Sequence, residues 1–224
     1  TLKPSTFRLM ALLFCCGLGA FADSAGWTLL YEKEGFKAYE QKGPPLAYKA
    51  EGTMAVPLAE VAAVLVDVPR QREWVLCLAE SRLLEGDPAA RSVIYSRYAL
   101  PWPARDRDAV IESVVEEDVA QREVRVRFRN VWSGAVPPRR GCIRVPLSEG
   151  GFTLRETGNG TVFVSYVLRI DPGGWLPDWI VRLFVRDAPH ATLRAFLAQI
   201  KRTRGQYDGF IAAQQARWDA MARA

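Results

Sequence analysis

Between Gly35 and Tyr39 apolar and polar residues alternate, and from Leu46 to Met54 the alternation returns with Ala47, Lys49 and Glu51 opposed to Tyr48 and Ala50. A period of two sends successive side chains to opposite faces of a strand. Gly43-Pro44-Pro45 supplies the turn between them, and Trp27 to Tyr31 reads as a short strand or helix opening the fold. After Pro57 the period changes: Leu58, Val61, Ala62 and Leu65 share one helical face, which predicts a helix over 58–66. Arg72 to Leu84 is less regular and reads as a short helix leading into a strand. Strand patterns then follow one another: Ser92 to Leu100, Asp108 to Glu116, Glu123 to Val131, Gly141 to Leu147, Phe152 to Glu156 and Thr161 to Ile170, with turn residues between them as in a meander. The last pattern is helical again, with Leu193, Phe196, Leu197 and Ile200 on one face, and Pro189 is expected to kink or split that helix. Residues 205–224, with Phe210, Ile211 and Trp218, read as a further helix packed on the outside.

Strands, a helix, about six strands and a long amphipathic helix make an α+β arrangement, in which one curved antiparallel sheet must cover the C-terminal helix. A chain of 224 residues suits one large domain with small appendages. Half the residues are apolar (49%) and seven are Trp, which is ample for a core.

The strand stripes show what such a core would face. From Glu123 to Val131, Val124, Val126 and Phe128 alternate with Arg125, Arg127 and Arg129, giving one oily and one basic face. The neighbouring strand sets Ile111, Ser113 and Val115 against Glu112, Val114 and Glu116. Paired as a hairpin, the two bring Glu112 and Glu116 to the arginines on the outer face, where ion pairs contribute under about 1 kcal/mol each. Val164 and Tyr166 are the inward candidates on the strand from Thr161 to Ile170. Val185, Thr192 and Phe196 recur at helical spacing on the last helix, where core and cavity lining would be the same surface.

The first residues differ from the rest. Lys3 and Arg8 precede an apolar run from Leu9 to Phe21, and Ala20 with Ala22 offers the small-x-small pattern of a signal peptidase site, so residues 1–22 are expected to be an export signal cleaved after Ala22. The run falls short of the roughly 20 apolar residues a membrane anchor needs, and Leu13-Phe14 before Cys15 lacks the small residues of a lipoprotein signal. The expected location is therefore outside the cytoplasm, in the periplasm. Only Cys77 and Cys142 would remain, expected as buried free thiols and not as a disulfide framework. One histidine, His190, cannot build a metal site, so no metal and no cofactor is expected. The net charge of +5 is spread thinly, which makes a nucleic-acid partner a weak inference; it serves solubility first, and it also fits transient contact with anionic headgroups.

Three stretches together resemble the START (steroidogenic acute regulatory related) lipid-transfer family. They are Tyr98-Ala99-Leu100-Pro101-Trp102-Pro103 running into Arg107-Asp108, then Gly141-Cys142-Ile143-Arg144-Val145, then Asp171-Pro172-Gly173-Gly174-Trp175-Leu176-Pro177-Asp178-Trp179. Trp74 also fits. Their order and spacing agree over roughly residues 27 to 203, so residues 23–204 are taken as the family-like domain and 205–224 as a helical tail outside it. The resemblance implies a helix-grip fold, a curved sheet around a long C-terminal helix with a tunnel for one lipid, and loops near the helix acting as a lid. It also turns Tyr95 and Arg97 toward the cavity, with Ser113 at a pocket position; a buried Arg97 would need a partner, either an anionic or polar lipid head or, on the other reading, a nearby carboxylate or solvent. Arg107 and Asp108 fit the family's Arg-Asp pair, yet adjacent strand residues face opposite ways, so their expected role is to fix the loop.

The implied function is binding and transfer of a sterol, phospholipid or fatty acid by a monomer, without catalysis. Each methylene hidden from water is worth about 0.8 kcal/mol, so a sixteen-carbon chain faces a transfer barrier near 13 kcal/mol that a dry cavity removes. Two other readings compete. An enzyme of the cyclase or hydrolase type on the same scaffold would need an acid or base within reach of substrate, and no Ser-His-Asp set is present. An interaction module would fill its cavity with its own side chains.

Overall fold

The computed structural model describes residues 26–132, 136–158 and 160–223, apart from the side chains of Val185 and Ala222. The export signal predicted at 1–22 lies outside the described residues. Three strands open the fold, β1 (Thr28–Lys33), β2 (Phe36–Gln41) and β3 (Leu46–Met54), followed by α1 (Leu58–Val66) and a 3-10 turn at Val68–Glu73. Then come β4 (Leu78–Gly86), β5 (Arg91–Tyr98), β6 (Asp106–Asp118), β7 (Glu123–Asn130), β8 (Cys142–Arg144), β9 (Leu147–Gly158) and β10 (Thr161–Asp171). Three helices close the chain, α2 (Asp178–Arg182), α3 (Ala188–Arg202) and α4 (Asp208–Ala222).

The strands form one sheet in the order β1-β2-β3-β10-β9-β7-β6-β5-β4, with antiparallel neighbours throughout. The expected α+β sheet is thus present, and its concave face holds α1 and α3. Two strand boundaries differ from the sequence reading. Gly141 to Leu147 is not a strand of the meander: only Cys142–Arg144 pairs, in parallel, with Asp106–Asp108 of β6. In its place β9 runs unbroken through Gly150 and Gly151, which the pattern had read as a break. Both glycines belong inside the strand because a Cβ at Gly150 would sit 2.1 Å from the Val167 carbonyl oxygen, and one at Gly151 would sit 2.4 Å from that of Val126.

Pro189 does not split the helical run. It stands in the first turn of α3, and the chain ahead of it widens into a π turn at Leu183–Asp187 that joins α2 to α3 without a break. The tail helix α4 packs on the outer side of α1. Trp218 is buried there, its indole N–H donating to Glu117 at 2.9 Å while Gln214 donates to the same carboxylate at 2.7 Å.

The predicted hairpin of β6 and β7 pairs Glu112 with Arg129 and Glu116 with Arg125. On the convex face Arg129 meets Glu112 at 2.9 Å and Arg127 meets Glu116 at 3.1 Å, so the arginine run belongs to an outward ladder of ion pairs. Cys77 and Cys142 are free, as expected, but half-buried and not buried.

Candidate functional site: a cavity under the helical run 178–202

Between the concave face and the helical run 178–202 lies a cavity of about 180 Å³, counted as room for the centres of water molecules.

Alternation along each strand decides which side chains reach it. On β5 the inward positions are Ser92, Ile94, Ser96 and Tyr98, continued by Leu100. Eight residues of strand rise separate the first from the last, so this wall is about 26 Å long. On β6 the wall carries Arg107, Ile111 and Ser113, on β7 Val126 and Phe128, on β9 Ser148 and Phe152, and on β10 Tyr166, Leu168 and Ile170. Opposite stand Leu176, Val181, Phe184, Ala188 and Thr192 of the helical side, with Gln71 and Trp74 from the 3-10 turn and its exit.

Of the residues singled out from sequence, Ile111, Ser113, Val126, Phe128, Tyr166 and Thr192 line the cavity. Val124, Val164 and Phe196 share the same inward stripes but lie in the solid core beside it: Phe196 packs at 4.6 Å ring to ring on Trp74 and at 5.9 Å on Phe152. The side chain of Val185 lies outside the described residues. Tyr95 and Arg97 require a correction, because they occupy the other phase of β5 and point to the convex side. There Tyr95 donates to Asp108 at 3.4 Å and Arg97 to Asp106 at 2.7 Å. Ser96 and Tyr98 hold the wall in their place. The signal was present in the register, since Arg97 is paired with Asp108 across the strands.

Adjacent residues on β6 face opposite ways, as the strand geometry demands. Asp108 is fully buried on the convex side, where Arg144 donates to it at 2.9 and 3.1 Å and the Arg139 amide at 3.3 Å. Burial pushes its carboxyl up, but those donors together hold it below the usual aspartate range. Arg107, only 3% exposed, faces the cavity and spends its donors on backbone carbonyls: Pro172 at 3.2 Å, Gly173 at 2.8 Å, Trp175 at 3.3 Å and Arg105. It therefore ties β6 to the segment that leads into α2. That segment turns through Gly173 and Gly174, both with positive φ (64° and 62°), where a Cβ would strike Pro146 and Ile143. The loop-fixing role expected of Arg107 and Asp108 matches these contacts.

The remaining polar groups of the wall are neutral. Tyr48 and Tyr166 meet edge to face at 6.2 Å, and burial raises the phenol pKa of Tyr48, Tyr98 and Tyr166, so all three stay protonated. Among the described lining residues there is no Asp, Glu, His, Lys or Cys. No group of ligating side chains that could hold a metal occurs among the described residues.

Comparison with known proteins bears on this geometry. The family model described as START domain matches residues 18–204. A Pseudomonas aeruginosa protein of uncharacterized role is 32% identical over 181 residues, covering 80% of this chain and 88% of that protein. Mouse START domain-containing protein 10 is 25% identical over 188 residues; the match covers 79% of this chain but 62% of the mouse protein, less than two thirds of its length. Among solved structures, a STAR-related lipid transfer protein fragment from Xanthomonas axonopodis superposes with a TM-score of 0.70 at 28% identity, over 79% of this chain and 99% of that one.

Proposed function

The chain belongs to the START domain family, and on that premise we propose that it binds one lipid in the cavity under 178–202 and carries it between membranes unchanged. The observation that carries this reading is the cavity itself, covered by the helical run 178–202 and walled by residues such as Ile94, Phe128, Leu168 and Phe184. A hollow of that kind is costly to leave empty and is worth about 0.8 kcal/mol for each methylene it shelters. Carriage without chemistry is supported by the described lining residues, which include no carboxylate, imidazole, amine or thiol: their hydroxyls are those of Ser, Thr and neutral Tyr, and the one cation among them, Arg107, is engaged by carbonyls.

Membrane contact is supported by four exposed tryptophans, Trp102 (89%), Trp132 (81%), Trp175 (70%) and Trp179 (44%). Their segments converge. Arg105 reaches from the β5–β6 loop to the Gly141 and Cys142 carbonyls, Arg107 reaches from β6 to Pro172–Trp175, and Asn130 at the end of β7 donates to Pro146 at 3.0 Å. Indole rings favour the membrane interface, and exposed arginines such as Arg140 and Arg182 add about 1 kcal/mol each near anionic headgroups. The export signal predicted at 1–22 would put this traffic in the periplasm.

Purified protein extracted into organic solvent should yield a stoichiometric lipid by mass spectrometry, with its mass unchanged after incubation. Recovery of none, together with no uptake of fluorescent fatty acid, sterol or phospholipid, would leave an interaction module as the function. A converted ligand would make it an enzyme.

A further inference from the structure

We propose that α4 is a strap: fastened to Glu117 at one end and to Asp67 and Arg70 at the other, it keeps the α1 side of the cavity shut and so sets how long a guest is retained away from a membrane. This rests on the carriage reading above and adds to it a retaining element that lies beyond residue 204, where the family match ends.

The need for a strap is written into α1. Its sequence, Leu-Ala-Glu-Val-Ala-Ala-Val-Leu-Val, is apolar almost all round, and seven of its nine residues are buried. A helix of that kind needs cover on both sides. The sheet and α3 cover the inner side. On the outer side Trp218 is buried, and Tyr207 and Ile211 pack against the core cluster that contains Leu58, Ala59 and Leu65.

The fastenings are polar and sit at the two ends of the strap. Where α4 begins, the Tyr207 hydroxyl donates to Asp67 at 2.6 Å and Arg70 donates to Gln206 at 2.5 Å. Toward its far end Gln214 donates to Glu117 at 2.7 Å, the Trp218 indole at 2.9 Å, and Arg217 reaches the same carboxylate. The Arg122 guanidinium stands 5.2 Å over the Trp218 ring from the β6–β7 turn. One carboxylate at the end of β6 thus gathers three donors from α4.

What the strap holds is a flank of the cavity. Leu65, Val66, Val68, Gln71 and Trp74, from α1 and the 3-10 turn after it, line the hollow. This flank is helix and turn, so no ladder of strand hydrogen bonds ties it to the sheet. Among the described residues 58–73, its hydrogen bonds to the rest of the protein are those of Gln71 with Ser81, of Glu73 with Gln199 and Arg202, and of Asp67 and Arg70 with the start of α4. Loosening α4 removes the last two and uncovers α1, so the flank can swing outward and let the guest go.

The test loads full-length protein with fluorescently labelled palmitate, cholesterol or phosphatidylcholine, whichever it takes up most tightly, and follows release to a cyclodextrin sink with no vesicles present. Glu117→Gln leaves one amide oxygen for three donors. It should speed release about fivefold or more, while amide hydrogen exchange rises over 58–73 and β9 and β10 keep their protection. If Glu117→Gln does not fold, Gln214→Ala with Arg217→Ala removes two of the three donors and is read in the same way. Exchange raised evenly across the sheet would make the change a global loss of stability, and unchanged release would make α4 packing alone; either result overturns the strap and leaves carriage intact. Uptake of none of the three probes overturns carriage, and the strap with it.

Discussion

On β10, Val162 and Val164 are sealed in the core, while Tyr166, Leu168 and Ile170, further along the same inward stripe, line the hollow. The passage repeats on β7, from Val124 to Val126 and Phe128, and on α3, from Ile200 and Phe196 back to Thr192 and Ala188. One interior thus has a solid half and an open half built from the same elements. What separates them is the kind of side chain. The solid half stacks large apolar groups, with Phe196, Leu154, Val164 and Leu193 at 0% exposure. The open half mixes apolar walls with short hydroxyl residues, Ser92, Ser96, Ser113, Ser148 and Thr192, which leave room and offer hydrogen bonds to whatever fills it.

The sharpest way to break the comparison is to hollow out the solid half. Phe196→Ala should cost about 3 to 5 kcal/mol, since the ring packs on Trp74 and Phe152 with no space to collapse into. In a domain of this size that lowers Tm by about 10 °C. A loss below about 1 kcal/mol in calorimetry would mean that Phe196 already borders empty space, and the two halves would not be distinct.

Next in size is an exchange of character in the same half. Val164→Ser plants a hydroxyl where Val164 has only apolar neighbours in the core, so it loses packing and strands a donor, at about 2 to 4 kcal/mol together. The urea midpoint should fall with the slope unchanged. The reverse exchange in the open half, Ser113→Val, should stay within about 1 kcal/mol either way while lowering the amount of lipid retained. If Ser113→Val destabilised as strongly as Val164→Ser, the serines would be structural.

This contrast also explains what the sequence could and could not tell. Strand periods gave the sheet, the hairpin of β6 and β7 and its ion pairs, because alternation reports which face is apolar. Motif resemblance gave the helix-grip fold, which the superposition on the Xanthomonas lipid transfer protein matches. The same alternation is blind to depth: Val124, Val164 and Phe196 satisfy it as well as Val126, Tyr166 and Thr192, and only the bend of the sheet decides which row is covered. On β5 the resemblance alone turned Tyr95 and Arg97 inward, and alternation offered no check because both phases carry polar residues; Arg97 pairs outward with Asp106. Gly150 and Gly151 hid β9 for a related reason, since their function is to let the strands at Val126 and Val167 come close.

The smallest expected effect concerns the roof of the open half. Glu73 ends the 3-10 turn just before Trp74 and ties it to α3 and its surroundings: Arg70 donates at 2.9 Å, Gln199 at 2.9 Å and Arg202 at 2.6 Å. The Arg70 hydrogen bond first, and the Gln199 amide second, hold its carboxyl down at about 2, against the opposing pull of desolvation. A folded-state pKa below the ordinary value of about 4.5 means that the tie is fully present above that pH and fades as pH falls toward 2. The urea midpoints of the parent and of Glu73→Gln should therefore differ most above pH 4.5 and converge near pH 2, and the gap should narrow in 1 M salt because the group is close to solvent. A gap independent of pH would show that the carboxylate charge holds nothing. Phe196, whose ring contacts with Trp74 and Phe152 carry no titrating group, should lose the same stability on Phe196→Ala across that whole range.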